Sequence, residues 1–405
     1  MTVTLAGCGG LSSDNDVTLK VVAADYGDSS ENSSTAYWKE LAAAFTAEHP
    51  GIKVDVSVYS WEEVDAKVAE MVKNGEAPDV AQIGAYADYA ADDKLYTADE
   101  LLAVSTEADF LAPLADAGKV KRVQYGIPFV SSTRLLFYNK DLFEKAGIAA
   151  PPKTWAELEA AAKKLKGEAK TPFALPLGRE EAQAETMQWL LAGGGGYTDN
   201  DEAYAIDSAE NVKTLNWVKE HLVEAGLTGP VKPSQLNRQA AFDAFSNGEV
   251  GMLNGHPALM KQATAKGVKF GMVPLPTPRG EEEPTMGVAD WVMAFKNGRP
   301  KEAGAFLDYL FEAKNVTRFT STYGLLPVTT SGSRAMEDAT GADAGLKTFL
   351  GALPNSRLYP AGKKSWPAVS EDIKQKIGKS MDEGQSPDRT LEEIAGAARA
   401  ADQQR

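Results

Sequence analysis

Side chains able to do covalent or metal chemistry are scarce in this chain. It has one cysteine, Cys8, and three histidines, His49, His221 and His256, far apart in sequence. A zinc site draws on several His or Cys ligands, and a Cys nucleophile needs a base beside it, so either has almost no material here. Gly378-Lys379-Ser380 copies the end of a phosphate loop, but the glycine that should open the loop falls on Ile373, in a stretch that reads as helical. The 57 acidic residues leave open a carboxylate pair of the kind that hydrolyses glycosides. What the chain does supply is binding chemistry. Tyr26, Trp61 and Tyr86 offer flat aromatic faces, and Glu62, Arg134, Arg179, Glu180, Asn254 and Asp290 offer planar polar groups. Such faces cover apolar surface on a ligand, while the planar groups take or give hydrogen bonds in pairs.

These side chains must be aimed by strands and helices. Residues 17–23 read as a strand, followed by a polar loop over 25–32. Tyr37, Trp38, Leu41, Ala44 and Phe45 recur at helical spacing up to His49-Pro50-Gly51. Ile52, Val54, Val56 and Val58 alternate with polar residues, the period of a strand. Ser60-Trp61-Glu62-Glu63 has the pattern of a capping box, which puts Trp61 in the first turn of the next helix. Residues 78–84 read as a third strand. This alternation predicts a parallel sheet with helices on its faces. Ligands of such sheets bind beyond the carboxyl ends of the strands, here at 25–32, 59–62 and 84–86. Further on, the pattern predicts a strand over 135–138, a second capping box at Thr154–Glu157 and helices over 182–191, 209–224 and 238–246. It then predicts a strand over 286–295 and a helix over 300–312.

A chain of 405 residues is too long for one ordinary core, which predicts two lobes. Lys and Arg number 42 against 57 Asp and Glu, a net charge of −15 that argues against a nucleic-acid partner. No apolar run approaches the roughly eighteen residues of a membrane span. No pair of cysteines exists to form a disulfide.

Leu5-Ala6-Gly7-Cys8 resembles a bacterial lipobox, and Ser12-Ser13-Asp14-Asn15-Asp16 follows it as a polar tether. The resemblance implies acylation at Cys8 and a protein held by lipid on the extracellular side of the bacterial cell membrane.

Several motifs in one order strengthen this. They are Gly126-Ile127-Pro128-Phe129, then Phe137-Tyr138-Asn139-Lys140-Asp141-Leu142-Phe143, and Pro152-Lys153-Thr154-Trp155-Ala156-Glu157-Leu158. Next come Ala241-Phe242-Asp243-Ala244-Phe245 with Gly248-Glu249-Val250-Gly251-Met252, and last Gly287-Val288-Ala289-Asp290-Trp291. Together they resemble the extracellular solute-binding proteins of ABC sugar importers, over nearly the whole chain. The resemblance implies an α/β, periplasmic-binding-protein-like fold, with two lobes joined by crossing strands and a ligand cleft between them. Crossings are expected near 128–132, 286–291 and 325–329. The lobes are then 16–128 with 290–328 and 129–289 with 329–405, after the lipobox and tether of 1–15. It further implies a mono- or oligosaccharide ligand, ABC permease subunits as partners, a monomer, and no cofactor or enzymatic turnover.

On that reading Tyr26, Trp61, Tyr86 and Trp366 are aromatic walls. Glu62, Asn254 and Asp290 take hydroxyls, and Arg134, Arg179 and Glu180 are polar contacts from the second lobe. Trp291 neighbours Asp290 in a strand, and alternation there argues against both reaching one ligand. Trp38, Trp155, Trp189 and Trp217 lie on apolar helical stripes and read as core. Other solutes remain open on the same fold: a polyamine, a glycerophosphodiester, an osmolyte or iron.

Overall fold

The computed structural model describes residues 17–27, 31–61, 63–338 and 345–403; Cys8 with its tether, and Glu62, lie outside the described residues. The strands that position the site are β1 Val17–Ala24, β2 Ile52–Tyr59, β3 Val80–Ile83, β4 Ile127–Thr133, β5 Leu135–Asn139, β6 Thr171–Ala174, β7 Val250–Gly255, β8 Phe270–Val273, β9 Thr285–Ala294 and β10 Ser356–Arg357.

They form two main sheets. The first has the order β10-β9-β3-β1-β2, with β4 also paired to β9. In it β1, β2 and β3 are parallel, as the strand–helix alternation predicts. All four residues of β3 and all seven of β4 are buried, as expected for strands covered on both faces. The second sheet has the order β8-β5-β7-β6. β4 passes directly into β5 through Arg134, so one segment serves both sheets. β9 runs antiparallel to β4, and Ser131 exchanges backbone hydrogen bonds with Leu326 at 2.9 and 2.8 Å. The three segments read as crossings therefore lie side by side. The mixed α/β chain is two lobes, each built on one sheet.

Apolar faces fix each lobe. The helix Thr35–Glu48 buries Tyr37, Trp38, Leu41 and Phe45, and Trp38 stacks on Phe129 of β4 at 5.4 Å. In the second lobe Trp155, Trp189 and Phe173 meet in one core, with the Trp155 indole donating to the Pro276 carbonyl at 2.9 Å. Helix packing is tight elsewhere too. A Cβ on Gly304 of the helix Pro300–Leu310 would lie 2.1 Å from the Leu101 carbonyl oxygen. Gly304→Ala is therefore expected to cost about 1–3 kcal/mol, read as a lower midpoint in urea. An unchanged midpoint would show that this contact relaxes freely.

Local readings fared unevenly. The Thr154–Glu157 capping box forms in full. The one at Ser60 does not: the helix starts at Val64, and the Ser60 hydroxyl bonds the Glu63 carboxylate rather than a backbone N–H. Trp61 sits in the turn before the helix, not in its first turn. Trp366, read as a loop residue, opens the helix Trp366–Lys376 and is 8% exposed. The helix Ala209–Val218 continues as a π-helical turn, Lys219–Val223. There the buried Lys219 ammonium donates to the carbonyls of Ser380, Asp382 and Gln385 at 3.0, 2.9 and 2.6 Å.

Candidate functional site

The three parallel strands of the first sheet, β1, β2 and β3, each end in a loop that delivers one or two polar or aromatic groups to the same place. After β1, Asp25 folds its loop by accepting N–H bonds from Gly27 and Ser34 at 3.0 and 2.7 Å. This aims the Tyr26 ring along the sheet end. The Tyr26 hydroxyl donates to Asp290 of β9 at 2.8 Å and accepts from the Gln82 amide of β3 at 3.0 Å. Gln82 in turn accepts from the Ala24 backbone N–H at 2.9 Å. Burial, then the Asp290 charge, lifts the Tyr26 phenol well above its ordinary range, so it stays a donor.

After β2, Trp61 stands edge-on to Tyr26, with ring centroids 5.3 Å apart, and remains partly exposed. In the first turn of the helix Val64–Lys73, Asp65 accepts the Gly84 N–H at 3.1 Å, tying the β2 and β3 ends together. After β3, Tyr86 is buried; its hydroxyl donates to the Ala117 carbonyl at 2.5 Å and its ring meets Trp291 at 5.1 Å. A cavity of about 220 Å³ opens here between the lobes. It is lined by Gly84–Asp88 and Gly287–Trp291 from the first sheet, and by Leu358, Tyr359, Lys363, Lys364 and Trp366 from the facing segment. Trp366 stacks on Tyr359 at 5.1 Å.

Asp290 and Trp291 both line this cavity, against the expectation from simple alternation. The β4–β9 ladder slips there: Asp290 faces Val130 while Trp291 faces Pro128, so Phe129 has no partner. That is a bulge, and bulges re-aim side chains. The Asp290 carboxyl is enclosed by protein on most sides. Burial pushes it up to about 6, against the hydrogen bond from Tyr26 and with the Asp65 charge adding to the rise.

The second lobe presents a polar cluster. Arg134, 4% exposed, bonds Glu181 at 2.8 Å. Arg238 bridges Glu180 and Glu181 at 2.6 and 2.7 Å. Asn254 donates to Glu185 at 3.1 Å, and Trp189 donates to the same carboxyl at 3.2 Å. Burial pushes Glu185 up to about 8, against these bonds and the Arg134 charge. His256 caps the helix Pro257–Ala265 by accepting the Ala258 N–H, a structural role.

Of the residues singled out in the sequence, Tyr26, Trp61, Tyr86, Asp290, Trp291 and Trp366 converge on or beside the cavity. Arg134, Glu180 and Asn254 fall in the second-lobe cluster. Arg179 does neither: it is exposed and pairs with Glu371 at 2.6 Å. Sequence reasoning missed Asp65, Gln82, Glu181, Glu185, Arg238 and Tyr323, whose ring lies 6.0 Å from Tyr26. Asp65 had a signal, since four residues after Trp61 is one helical turn. Tyr323 had none, because its helix is far away in sequence.

The arrangement holds hydroxyl acceptors and donors beside aromatic planes, in a cleft. Among the described residues no group of three or more His, Cys, Asp or Glu is placed to hold a metal ion. No described helix is long and apolar enough to cross a membrane.

Comparison with known proteins agrees with this architecture. A binding protein of Brucella abortus (strain 2308) is 30% identical over 377 residues, covering 90% of this chain and 89% of its own. An uncharacterized lipoprotein of Streptomyces antibioticus is 26% identical over 382 residues, covering 90% and 82%. The crystal structure of the cyclic alpha-maltosyl-1,6-maltose binding protein from Arthrobacter globiformis superposes with a TM-score of 0.83. It is 22% identical and covers 96% of this chain and 100% of its own, which establishes the shared fold. Residues 28–317 match the family model described as bacterial extracellular solute-binding protein, and the chain belongs to that family.

Proposed function

We propose that this protein captures a carbohydrate in the inter-lobe cleft and delivers it to an ABC permease as the lobes close. The observation that carries the reading is the Tyr26–Asp290–Gln82 network beside the partly exposed Trp61 ring. It offers a fixed acceptor and an apolar plane side by side, the two things a sugar ring asks of a pocket. The sugar named for the Arthrobacter structure supports it. So does the charge balance. Arg134 and Arg238 are neutralised by Glu180 and Glu181, Lys363 by Asp402, and Lys364 is paired with Asp92. Asp65, Asp88 and Asp290 add negative charge at the first lobe. An uncharged polyol fits that balance better than a phosphodiester does. The protein acts by reversible binding without turnover. We place 16–128 with 290–328 in one lobe and 129–289 with 329–405 in the other, with Cys8 as the lipid anchor; the Streptomyces lipoprotein supports the anchor.

A thermal-unfolding screen against mono- and oligosaccharides, glycerophosphodiesters and polyamines tests the reading. A sugar at 100 times its Kd should add about 2.7 kcal/mol to the folded state. Stabilisation by phosphodiesters or polyamines alone would discard the sugar.

The raised Asp290 carboxyl predicts a pH dependence. Its proton is held up to about pH 6. Ionised, it accepts a ligand hydroxyl more strongly, so affinity should rise as pH climbs through about 6 and level off above it. Calorimetric titration between about pH 5 and pH 8 should show this step in the native protein and not in Asp290→Asn. A step that survives the substitution would assign it to another group.

A further inference from the structure

A second cavity, of about 480 Å³, shares no lining residue with the first and sits at the Val273 end of β8. Its size is within the range of small-molecule sites. The walls are apolar: Leu135, Pro152, Pro274, Leu275, Pro284 and Ala352. Arg134 borders it, but the Arg134 guanidinium is spent on Glu181, and its carbonyl accepts the Thr285 hydroxyl at 2.9 Å. The rim carries the run Glu281-Glu282-Glu283 and Lys153. Arg279 grips Glu281 through two hydrogen bonds of 3.1 and 2.8 Å. Neither Glu282 nor Glu283 has an ion pair among the described residues. Against the single Lys153 ammonium, the rim therefore keeps a surplus of negative charge beside a proline-walled room.

We propose that this cavity is a second binding site, taking a small organic amine with an aromatic or branched apolar body. The body lies against the proline rings and the ammonium reaches Glu282 and Glu283. Nothing in this assignment depends on what the cleft holds.

The probe is 2-phenylethylamine, titrated into the full chain by calorimetry, with 2-phenylethanol as its uncharged counterpart. The expected result is saturable one-to-one binding of the amine, at least about tenfold tighter than the alcohol. The double variant Glu282→Gln, Glu283→Gln sits at the rim and should fold normally; it should erase the preference for the amine. Ala352→Phe should fill the room and abolish binding of both compounds. No saturation up to about 10 mM overturns the proposal. So does amine binding that both variants leave unchanged, since that binding would belong to another surface.

Discussion

Trp61→Ala should weaken binding of the best sugar from the screen on the order of 100-fold, about 2.7 kcal/mol. The magnitude follows from area. A sugar ring laid on an indole covers about 100 Å² of it, and at roughly 25 cal/mol per Å² that is about 2.5 kcal/mol. Trp61 is suited to the part because it is partly exposed and because Tyr26 holds it edge-on at 5.3 Å. Little ordering is left to do when ligand arrives. The fold should tolerate the change, since Trp61 lies in the turn ahead of the helix Val64–Lys73 and caps nothing. Calorimetry of the variant, with its unfolding midpoint as a check on the fold, decides the matter. A Kd within about threefold of the native value would remove Trp61 from the site.

Lys219→Met should destabilise the protein by about 3–5 kcal/mol while leaving sugar affinity unchanged. Three backbone carbonyls, of Ser380, Asp382 and Gln385, converge on this one ammonium. Methionine keeps the length of the side chain and gives none of them a donor. The Asp382 carbonyl keeps the Gln385 N–H at 3.2 Å, so those of Ser380 and Gln385 are stranded; each costs about 1–3 kcal/mol where water cannot reach it. Urea unfolding measures the effect. A loss below about 1 kcal/mol would mean that the 378–385 segment settles onto other donors.

The sequence made the lobe architecture readable because the strands alternate or run apolar and the helices carry apolar stripes, so Trp38, Trp155 and Trp189 declared themselves as core. It also marked Tyr26 and Trp61, which sit where strands end, and Asp290, which lies within β9. It was less informative about direction. Arg179 and Glu180 are neighbours, yet Arg179 turns outward to Glu371 while Glu180 joins Arg238. Nothing local distinguishes them; the choice is made by helices that arrive from elsewhere in the chain. Ser60 failed as a cap for a related reason. Its pattern was correct, but its hydroxyl was taken by the Glu63 side chain instead of the backbone. Tyr323 meets Tyr26 only through the folding of the whole lobe, and Glu185 becomes notable only once burial has raised its proton affinity.

The unpaired Phe129 has a mechanical implication. It is buried against Trp38 and Phe319, so the extra residue in β4, at the boundary between the lobes, is anchored on first-lobe side chains. Slipping β4 along β9 by one residue would drag that ring out of its socket and turn Asp290 away from Tyr26. The ribbon that joins the lobes is thus keyed, like a shaft with a pin through it. A change in the angle between the lobes would then have to come from flexing the ribbon on either side of the pin, which would leave Tyr26 and Asp290 in register.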